Sequence, residues 1–167
     1  MIQQYPNAQL WNIRAAELAY ATVDYETSLT MYQNLCESSK QNNEINPVIF
    51  EGYLKSLYST GQFDELIKEA SRYINSEEVA PIAYIKMAEA KIKLNNKPEA
   101  ISHFKKAIDK SGTNEQMIAL ILQGAYYLIG PEETYQICKE KLQQNPDSLS
   151  TNYTMFNINK LEGNYNE

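Results

Sequence analysis

The fold is decided by the stretch PIAYIKMAEAKIKLNNKPEAISHFKKAI, which covers residues 81–108. Its second half places Ala100, Phe104 and Ala107 at spacings i, i+4 and i+7, which lie on one face of an α-helix. The small residues let a neighbouring helix approach, and the aromatic ring fills the space between the two helices. Asn95–Pro98 separates the two halves and has the composition of a turn. The stretch therefore predicts two antiparallel helices joined by a short turn.

The pattern of this stretch occurs three times. The segments VDYETSLTMYQNL from Val23, GQFDELIKEASRYI from Gly61 and NNKPEAISHFKKAI from Asn95 each begin with a turn and continue into an amphipathic helix. Their equivalent positions are spaced by 38 and then 34 residues, at Tyr25, Phe63 and Lys97. A period of 34 residues with one insertion predicts a repeat array, in which stacked neighbours bury the apolar face of each unit.

The 34-residue unit of two helices resembles the tetratricopeptide repeat. In residues 81–114, Tyr84 matches the family's large residue at repeat position 4, and Met87 and Ala88 match its apolar and small pair at positions 7 and 8. Lys91 departs from the pattern, because the family prefers a large apolar or aromatic residue there. The resemblance implies an all-α fold, a right-handed superhelix of antiparallel helix pairs.

The same register divides the chain into a single array. Four repeats are predicted, at residues 9–42, 47–80, 81–114 and 115–148. Residues 43–46 form an insertion, 1–8 match the end of a preceding repeat, and 149–167 match the first helix of a further or capping repeat. We expect a segment of a longer repeat protein, and the alternative is a short protein with a capping helix. Nine helices are expected, near residues 9–22, 25–41, 46–60, 63–75, 80–94, 97–111, 114–129, 132–144 and 148–162.

Composition and charge disfavour several classes of function. The chain has 167 residues, with 21 Asp+Glu against 15 Lys+Arg and a formal net charge of -6. Since affinity for nucleic acid comes mostly from Lys and Arg that neutralise phosphates, nucleic acid is not an expected partner. No run approaches the ~20 consecutive apolar residues that cross a bilayer, and the N-terminus has no signal-peptide pattern. We expect a soluble protein without direct membrane insertion, and the cytoplasm is favoured over the periplasm.

Residues that could carry catalysis are scattered along the sequence. Cys36 and Cys138 are far apart, without a CxxC motif, and both are expected to be small buried side chains. His103 is the only histidine, and its repeat position usually faces outward in this fold. Phosphate-binding glycine loops and the HExxH zinc motif do not occur in the sequence. The sequence therefore predicts a protein that is not an enzyme and holds no cofactor or metal.

The resemblance also implies where a partner would bind. In the tetratricopeptide family the concave groove is lined mainly by first helices, at repeat positions 2, 5, 9, 12 and 13. The groove residues carried over to this chain are Ile13, Glu17, Tyr20, Glu51, Lys55, Tyr58, Ile82, Ile85, Glu89, Ile92, Gln123, Tyr126 and Tyr127. The same positions also give Leu10, Ala21, Val48, Ser59, Lys93, Gln116 and Ala119, and the last helix adds Tyr153. For each single residue, packing between adjacent repeats is an equal alternative.

An interaction scaffold is the function that the repeats, the apolar groove and the missing catalytic motifs favour. Its partner would be a protein, bound as an extended peptide or an amphipathic helix. The alternative is a recruiting or regulatory segment of a larger enzyme, such as a glycosyltransferase or an envelope-assembly factor. Helical-repeat RNA binding, as in pentatricopeptide proteins, is disfavoured by the negative charge. Self-association through exposed terminal repeat faces is expected, because such faces are apolar.

One subfamily is disfavoured by particular residues. Tetratricopeptide domains that hold the C-terminal carboxylates of chaperones use Lys at position 5 and Asn at position 9 of one repeat. These two positions in the four repeats are occupied by Ile13/Glu17, Glu51/Lys55, Ile85/Glu89 and Ala119/Gln123. The chain is therefore not expected to bind chaperone tails.

Overall fold

The computed structural model describes residues 8–41 and 46–161. The regular secondary structure of these residues is α-helical. The nine helices described are α1 (Ala8–Ala21), α2 (Tyr25–Gln41), α3 (Pro47–Ser59), α4 (Phe63–Ser71), α5 (Ala80–Lys93), α6 (Lys97–Ser111), α7 (Glu115–Ile129), α8 (Pro131–Gln144) and α9 (Leu149–Leu161). The predicted all-α class is confirmed, and every predicted bound except the end of α4 agrees to within one residue. The expectations for residues 1–7, 42–45 and 162–167 lie outside the described residues.

Helix α4 ends at Ser71 and not near residue 75, which corrects the prediction. The backbone N–H of Arg72 donates to the carbonyl of Glu69 at 3.2 Å, and that of Tyr73 to the carbonyl of Ala70 at 3.1 Å. Both bonds span three residues, so the helix tightens into a narrower turn at its end. The apolar periodicity continues through this turn, which is why the sequence predicted a longer helix.

The helices form two compact units, one with α1–α4 and the other with α5–α9. In the first unit each helix packs on the next, and α1 also packs on α3. In the second unit each helix again packs on the next, and α7 also contacts both α5 and α9. First helices of successive hairpins are therefore neighbours within each unit. This is the contact pattern that the resemblance to helical-hairpin repeats implies.

Three of the turns within hairpins have the same backbone geometry. Val23, Gly61 and Asn95 adopt positive φ angles of 66°, 75° and 57°. In each turn the next residue donates its backbone N–H to the carbonyl five residues earlier, as in the bonds Asp24 to Ala19, Gln62 to Leu57 and Asn96 to Lys91. A left-handed residue followed by such a bond is the Schellman ending of a helix. The repeat seen in the sequence is therefore also a repeat of turn geometry.

The best-matching repeat has the core that its pattern predicts. Six residues pack at the interface of α5 and α6 and are at most 8% exposed: Tyr84, Met87, Ala88, Ala100, Phe104 and Ala107. Lys91, which departs from the family pattern, forms an ion pair of 2.6 Å with Glu99 across the hairpin. The small residues allow close approach of the two helices, and the fully buried Phe104 ring fills the space between them.

His103 is half-buried, which corrects the expectation of an outward-facing, solvated side chain. Its ring centroid lies 5.9 Å from that of Tyr84 on α5, and its Nδ1 atom is buried without a hydrogen-bond partner among the described residues. Burial, followed by the positive charges of Lys106 and Lys91, lowers the pKa of His103, and Glu99 opposes this shift. Repeat position alone did not reveal that the Tyr84 ring covers the imidazole.

The folded state is expected to lose stability as the pH falls through the histidine range. The unfolded chain takes up this proton first, near pH 6.5, so the His103 contribution is complete above that pH and declines below it. Between about pH 7.5 and 5.5, the melting temperature should fall more for the wild type than for His103→Gln, whose side chain does not titrate. Circular dichroism at several pH values measures this difference. Parallel curves for the two proteins would contradict the prediction.

The two cysteines have different environments. Cys138 is fully buried, and burial raises the pKa of its thiol to about 12. Cys36 is only half-buried, which corrects the expectation of two buried cysteines. Neither forms a disulfide in the described part of the chain. Cys138 therefore packs as a small apolar residue.

Candidate functional site

A large concave site lies between α7 and α9, within the second unit. It has a volume of about 970 Å³. We call it the α7/α9 groove, and it is lined by Gln116, Ala119, Leu120, Leu122, Gln123, Tyr126, Tyr127, Leu149, Ser150, Tyr153, Thr154, Asn157, Ile158 and Leu161. Because two first helices form it, the groove lies on the face that the resemblance assigns to partner binding.

The lining of the α7/α9 groove is neutral and mostly apolar. None of the described residues that line it carries a charge, although 22% of the chain is Asp, Glu, Lys or Arg. Several large side chains are nevertheless open to solvent, with Tyr127 and Leu149 each 75% exposed and Tyr153 68% exposed. Depletion of charge together with exposed aromatic area is typical of the core of a protein interface.

Glu115 fixes the position of α9 against α7. Its Oε2 atom accepts hydrogen bonds from the backbone N–H of Ser150 at 2.7 Å and from the Ser148 hydroxyl at 3.2 Å. The Ser150 hydroxyl also donates to the backbone carbonyl of Glu115 at 2.7 Å. The hydrogen bond from the Ser150 backbone is the main reason that the pKa of Glu115 is lowered. These bonds join the N-terminal ends of the two helices that form the groove.

A second, smaller groove lies in the first unit and has a volume of about 380 Å³. We call it the α1/α3 groove, and it is lined by Glu17, Tyr20, Tyr32, Val48, Glu51, Gly52 and Lys55. Lys55 pairs with Glu51 at 2.6 Å, and Arg14 pairs with Glu17 at 2.6 Å. Burial, then the charges of Glu17 and Glu51, raises the pKa of Tyr32. Unlike the α7/α9 groove, this groove has charged residues in its lining.

The structure brings seven of the predicted groove residues together in two sets. Glu17, Tyr20, Glu51 and Lys55 line the α1/α3 groove, together with the other predicted residue Val48. Gln123, Tyr126 and Tyr127 line the α7/α9 groove, together with the other predicted residues Gln116, Ala119 and Tyr153. Each set lies within one compact unit.

The remaining predicted residues line neither groove. Ile13 is 8% exposed and lies in the core. The Tyr58 ring packs edge-on against Phe63, with centroids 5.6 Å apart. On α5, Glu89 pairs with Lys86 at 2.8 Å, and the predicted isoleucines of this helix are half-buried: Ile82, Ile85 and Ile92.

Eight of the 14 described residues that line the α7/α9 groove were not among the predicted groove residues. Of the α9 residues, only Tyr153 was singled out, although positions 2, 9 and 13 in the same register are Ser150, Asn157 and Leu161, which also line the groove. The signal was therefore present in the spacing. Tyr32 and Gly52 in the α1/α3 groove had no such signal, because neither stands at a first-helix position that the resemblance assigns to partner binding.

Within residues 8–41 and 46–161, no group of three or more His, Cys, Asp or Glu side chains is placed to hold a metal ion. No helix in these ranges combines the length and the apolar character needed to span a membrane.

Stacked helical hairpins whose first helices line grooves define an all-α helical-repeat fold. Searches returned no matching protein-family model and no similar curated protein. Among solved structures, a crystal structure of MamA protein is similar, with a TM-score of 0.53 over 94% of this chain and 84% of that chain. The two sequences are 10% identical, so this likeness concerns the fold alone.

Proposed function

We propose that this chain is a non-enzymatic interaction module of the tetratricopeptide type, which binds a segment of a partner protein in its α7/α9 groove. One observation carries the proposal: a neutral groove of about 970 Å³ in which aromatic and aliphatic side chains are open to solvent. Burial of these side chains against a partner would be favourable, at about 25 cal/mol for each Å² of apolar surface removed from water.

The tyrosines are the residues expected to contribute most to binding. Tyr126 and Tyr127 stand edge-to-face, with ring centroids 5.7 Å apart, and Tyr153 lies on the opposite wall. Tyrosine offers a large, rigid contact area together with a hydroxyl group, and it is enriched among residues that dominate binding energy. The groove therefore combines a cluster of tyrosines with two helices whose N-terminal ends are joined by the Glu115 hydrogen bonds.

Site-specific photo-crosslinking tests the proposal. A benzophenone amino acid replaces Tyr127, and the chain is irradiated in lysate of its source cells. Because position 127 is 75% exposed within the groove, we expect a discrete crosslinked protein band. The matched control places the same group at Gln136, an exposed position on α8 outside the groove. The partner is then identified by mass spectrometry.

Substitutions in the groove distinguish specific binding from nonspecific crosslinking in this experiment. The band from position 127 should weaken at least about tenfold when Tyr126 and Tyr153 are both changed to alanine, because loss of such anchors costs 2 kcal/mol or more. A band of equal strength from positions 127 and 136, unaffected by the two substitutions, would show that the groove is not the binding site.

A further inference from the structure

The α1/α3 groove contains a buried phenol without a hydrogen-bond partner in the described structure. Tyr32 on α2 is 4% exposed, and it lines the groove together with Gly52 on α3. A Cβ atom at Gly52 would lie 2.2 Å from Cζ of Tyr32, so the end of the ring that carries the hydroxyl lies against this wall. The hydroxyl forms no hydrogen bond with another described residue. Since buried polar groups are rarely left unpaired, this hydroxyl is available to a ligand that enters the groove.

Two carboxylates from neighbouring helices share the groove with this phenol. Glu17 on α1 and Glu51 on α3 both line it. After burial, which is the largest cause, the charges of these two carboxylates raise the pKa of Tyr32. A charge shifts a titrating group mainly over a short distance, so both carboxylates lie near the phenol. The groove therefore places two negative charges and a neutral hydroxyl around one space.

The ion pairs at the groove leave acceptor capacity on both carboxylates. Arg14 pairs with Oε2 of Glu17 at 2.6 Å, and Lys55 pairs with Oε1 of Glu51 at 2.6 Å. Oε1 of Glu17 and Oε2 of Glu51 accept no hydrogen bond from a described residue. Each pair joins two residues of one helix at a partly exposed surface and contributes little to stability. A cationic ligand can therefore bind these carboxylates without a large loss of intramolecular contacts.

We propose that the α1/α3 groove binds the guanidinium group of an arginine side chain that a partner protein presents. The carboxylates of Glu17 and Glu51 accept its N–H groups from two helices, and the Tyr32 hydroxyl accepts a further one. The site lies within the first unit, whereas the α7/α9 groove lies in the second. The inference therefore does not rest on the function proposed for the α7/α9 groove.

Charge and geometry select a guanidinium among the groups that a protein can present. An anionic side chain would be repelled by Glu17 and Glu51, and an apolar one would take water from these carboxylates without replacing its hydrogen bonds. A guanidinium carries five N–H donors in one plane and no acceptor, which suits a site whose unpaired oxygens are acceptors. A lysine ammonium is compact and reaches fewer of these oxygens at once.

Tyr20 adds an aromatic surface to the same groove. Its hydroxyl shares a hydrogen bond of 2.9 Å with that of Ser59 on α3, and its ring centroid lies 5.1 Å from that of Tyr25. These two contacts hold the ring in position. Arginine stacks on aromatic rings more readily than lysine does, because its guanidinium is planar and more weakly hydrated. Tyr20 therefore favours the same occupant.

Titration with small blocked amino acids, followed by NMR, provides the test. N-acetyl-arginine N-methylamide is added to the whole isotope-labelled chain, and the backbone N–H signal of Gly52 should shift to saturation. N-acetyl-citrulline N-methylamide has nearly the same shape without the charge, and it should bind at least about tenfold more weakly, since charge-assisted hydrogen bonds are the stronger ones. N-acetyl-lysine N-methylamide should bind at least about threefold more weakly than the arginine compound.

Variants of the groove identify the groups that bind. Glu17→Gln/Glu51→Gln keeps the size of both side chains and should weaken binding of the arginine compound at least about tenfold. Tyr32→Phe removes only the unpaired hydroxyl, so it should preserve the fold and weaken binding about threefold to tenfold. The matched control is Glu65→Gln on α4, whose carboxylate forms a similar surface ion pair with Lys68 at 3.0 Å. Because Glu65 does not line the groove, this control should leave the affinity unchanged.

One variant is expected to bind more tightly. Lys55 lines the groove and competes with a cationic ligand for Glu51. Lys55→Gln removes this positive charge and should strengthen binding of the arginine compound about threefold. Damage to packing would lower the affinity, so an increase distinguishes direct competition from a structural effect.

Several results would overturn the inference. These are the lack of a saturable shift at the groove, equal affinity for the arginine and citrulline compounds, and equal affinity for the arginine and lysine compounds. Unchanged affinity in Glu17→Gln/Glu51→Gln would place the bound compound elsewhere and would overturn it as well. None of these results concerns the α7/α9 groove, so the proposed function is tested separately by its own crosslinking experiment.

Discussion

Replacement of Phe104 by alanine is expected to lower the free energy of unfolding by about 3–5 kcal/mol. The ring is fully buried between α5 and α6, and Ala100 and Ala107 on either side are too small to fill the cavity that would remain. The loss combines the transfer of the ring to water with the cost of that cavity. Denaturation in urea, followed by circular dichroism, measures it.

The matched control for this prediction is Phe156→Ala on α9. It makes the same chemical change at a side chain that is 63% exposed, so a change within about 0.5 kcal/mol is expected. If both variants lose the same stability, the packing described for α5 and α6 is wrong. Repeat proteins can unfold in parts, so a single unfolding transition need not report on the whole chain. The two variants should therefore also be compared by native-state hydrogen exchange, which measures the stability of each helix.

Substitution of Gly52 by alanine has the second largest expected effect. A Cβ atom at this position would lie 2.2 Å from Cζ of Tyr32, far inside van der Waals contact, and the Tyr32 ring is only 4% exposed. Relief of the clash requires the buried Tyr32 ring to leave its position or α2 and α3 to move apart. We expect a loss of about 1–3 kcal/mol in the free energy of unfolding, as is usual for overpacking, measured by the same urea titration.

Gly124→Ala is the matched control, because it also replaces a glycine within a helix. Its Cβ would meet Phe104 at 3.9 Å, an ordinary contact. The substitution should therefore stabilise the protein by about 0.5–1 kcal/mol through higher helix propensity. In a Tyr32→Ala background the cost of Gly52→Ala should largely disappear. Equal effects at the two glycines would contradict the close approach of α2 and α3.

The sequence predicted most helix bounds because each boundary has a local cause. Asn46, Asn96 and Asn114 accept backbone N–H groups at the starts of α3, α6 and α7, and Pro131 occupies the first turn of α8. Capping and proline effects are short-range and can be predicted from a few residues. The end of α4 lacked such a signal, and there the prediction was wrong.

The groove was only partly predictable, because its geometry depends on contacts distant in sequence. Gln123, Tyr126 and Tyr127, which the repeat register assigned to a partner-binding groove, line one concave site. The register did not show that the Glu115 carboxylate would hold the start of α9, since an acidic residue at a helix start is explained by the helix dipole alone. The same register gave Ile13, which the structure buries. Side-chain burial between neighbouring helices is decided by packing that periodicity does not describe.

The most direct test of the central claim is a scan of the photo-crosslinker over exposed positions of the chain. Our account predicts strong capture of one partner from positions 119, 123, 127 and 153, which line or border the α7/α9 groove. It predicts weak capture from positions 136, 139 and 143 on α8, which are exposed outside the groove. Capture that is strongest on α8, or uniform across α7, α8 and α9, would contradict the claim that this groove is the binding site.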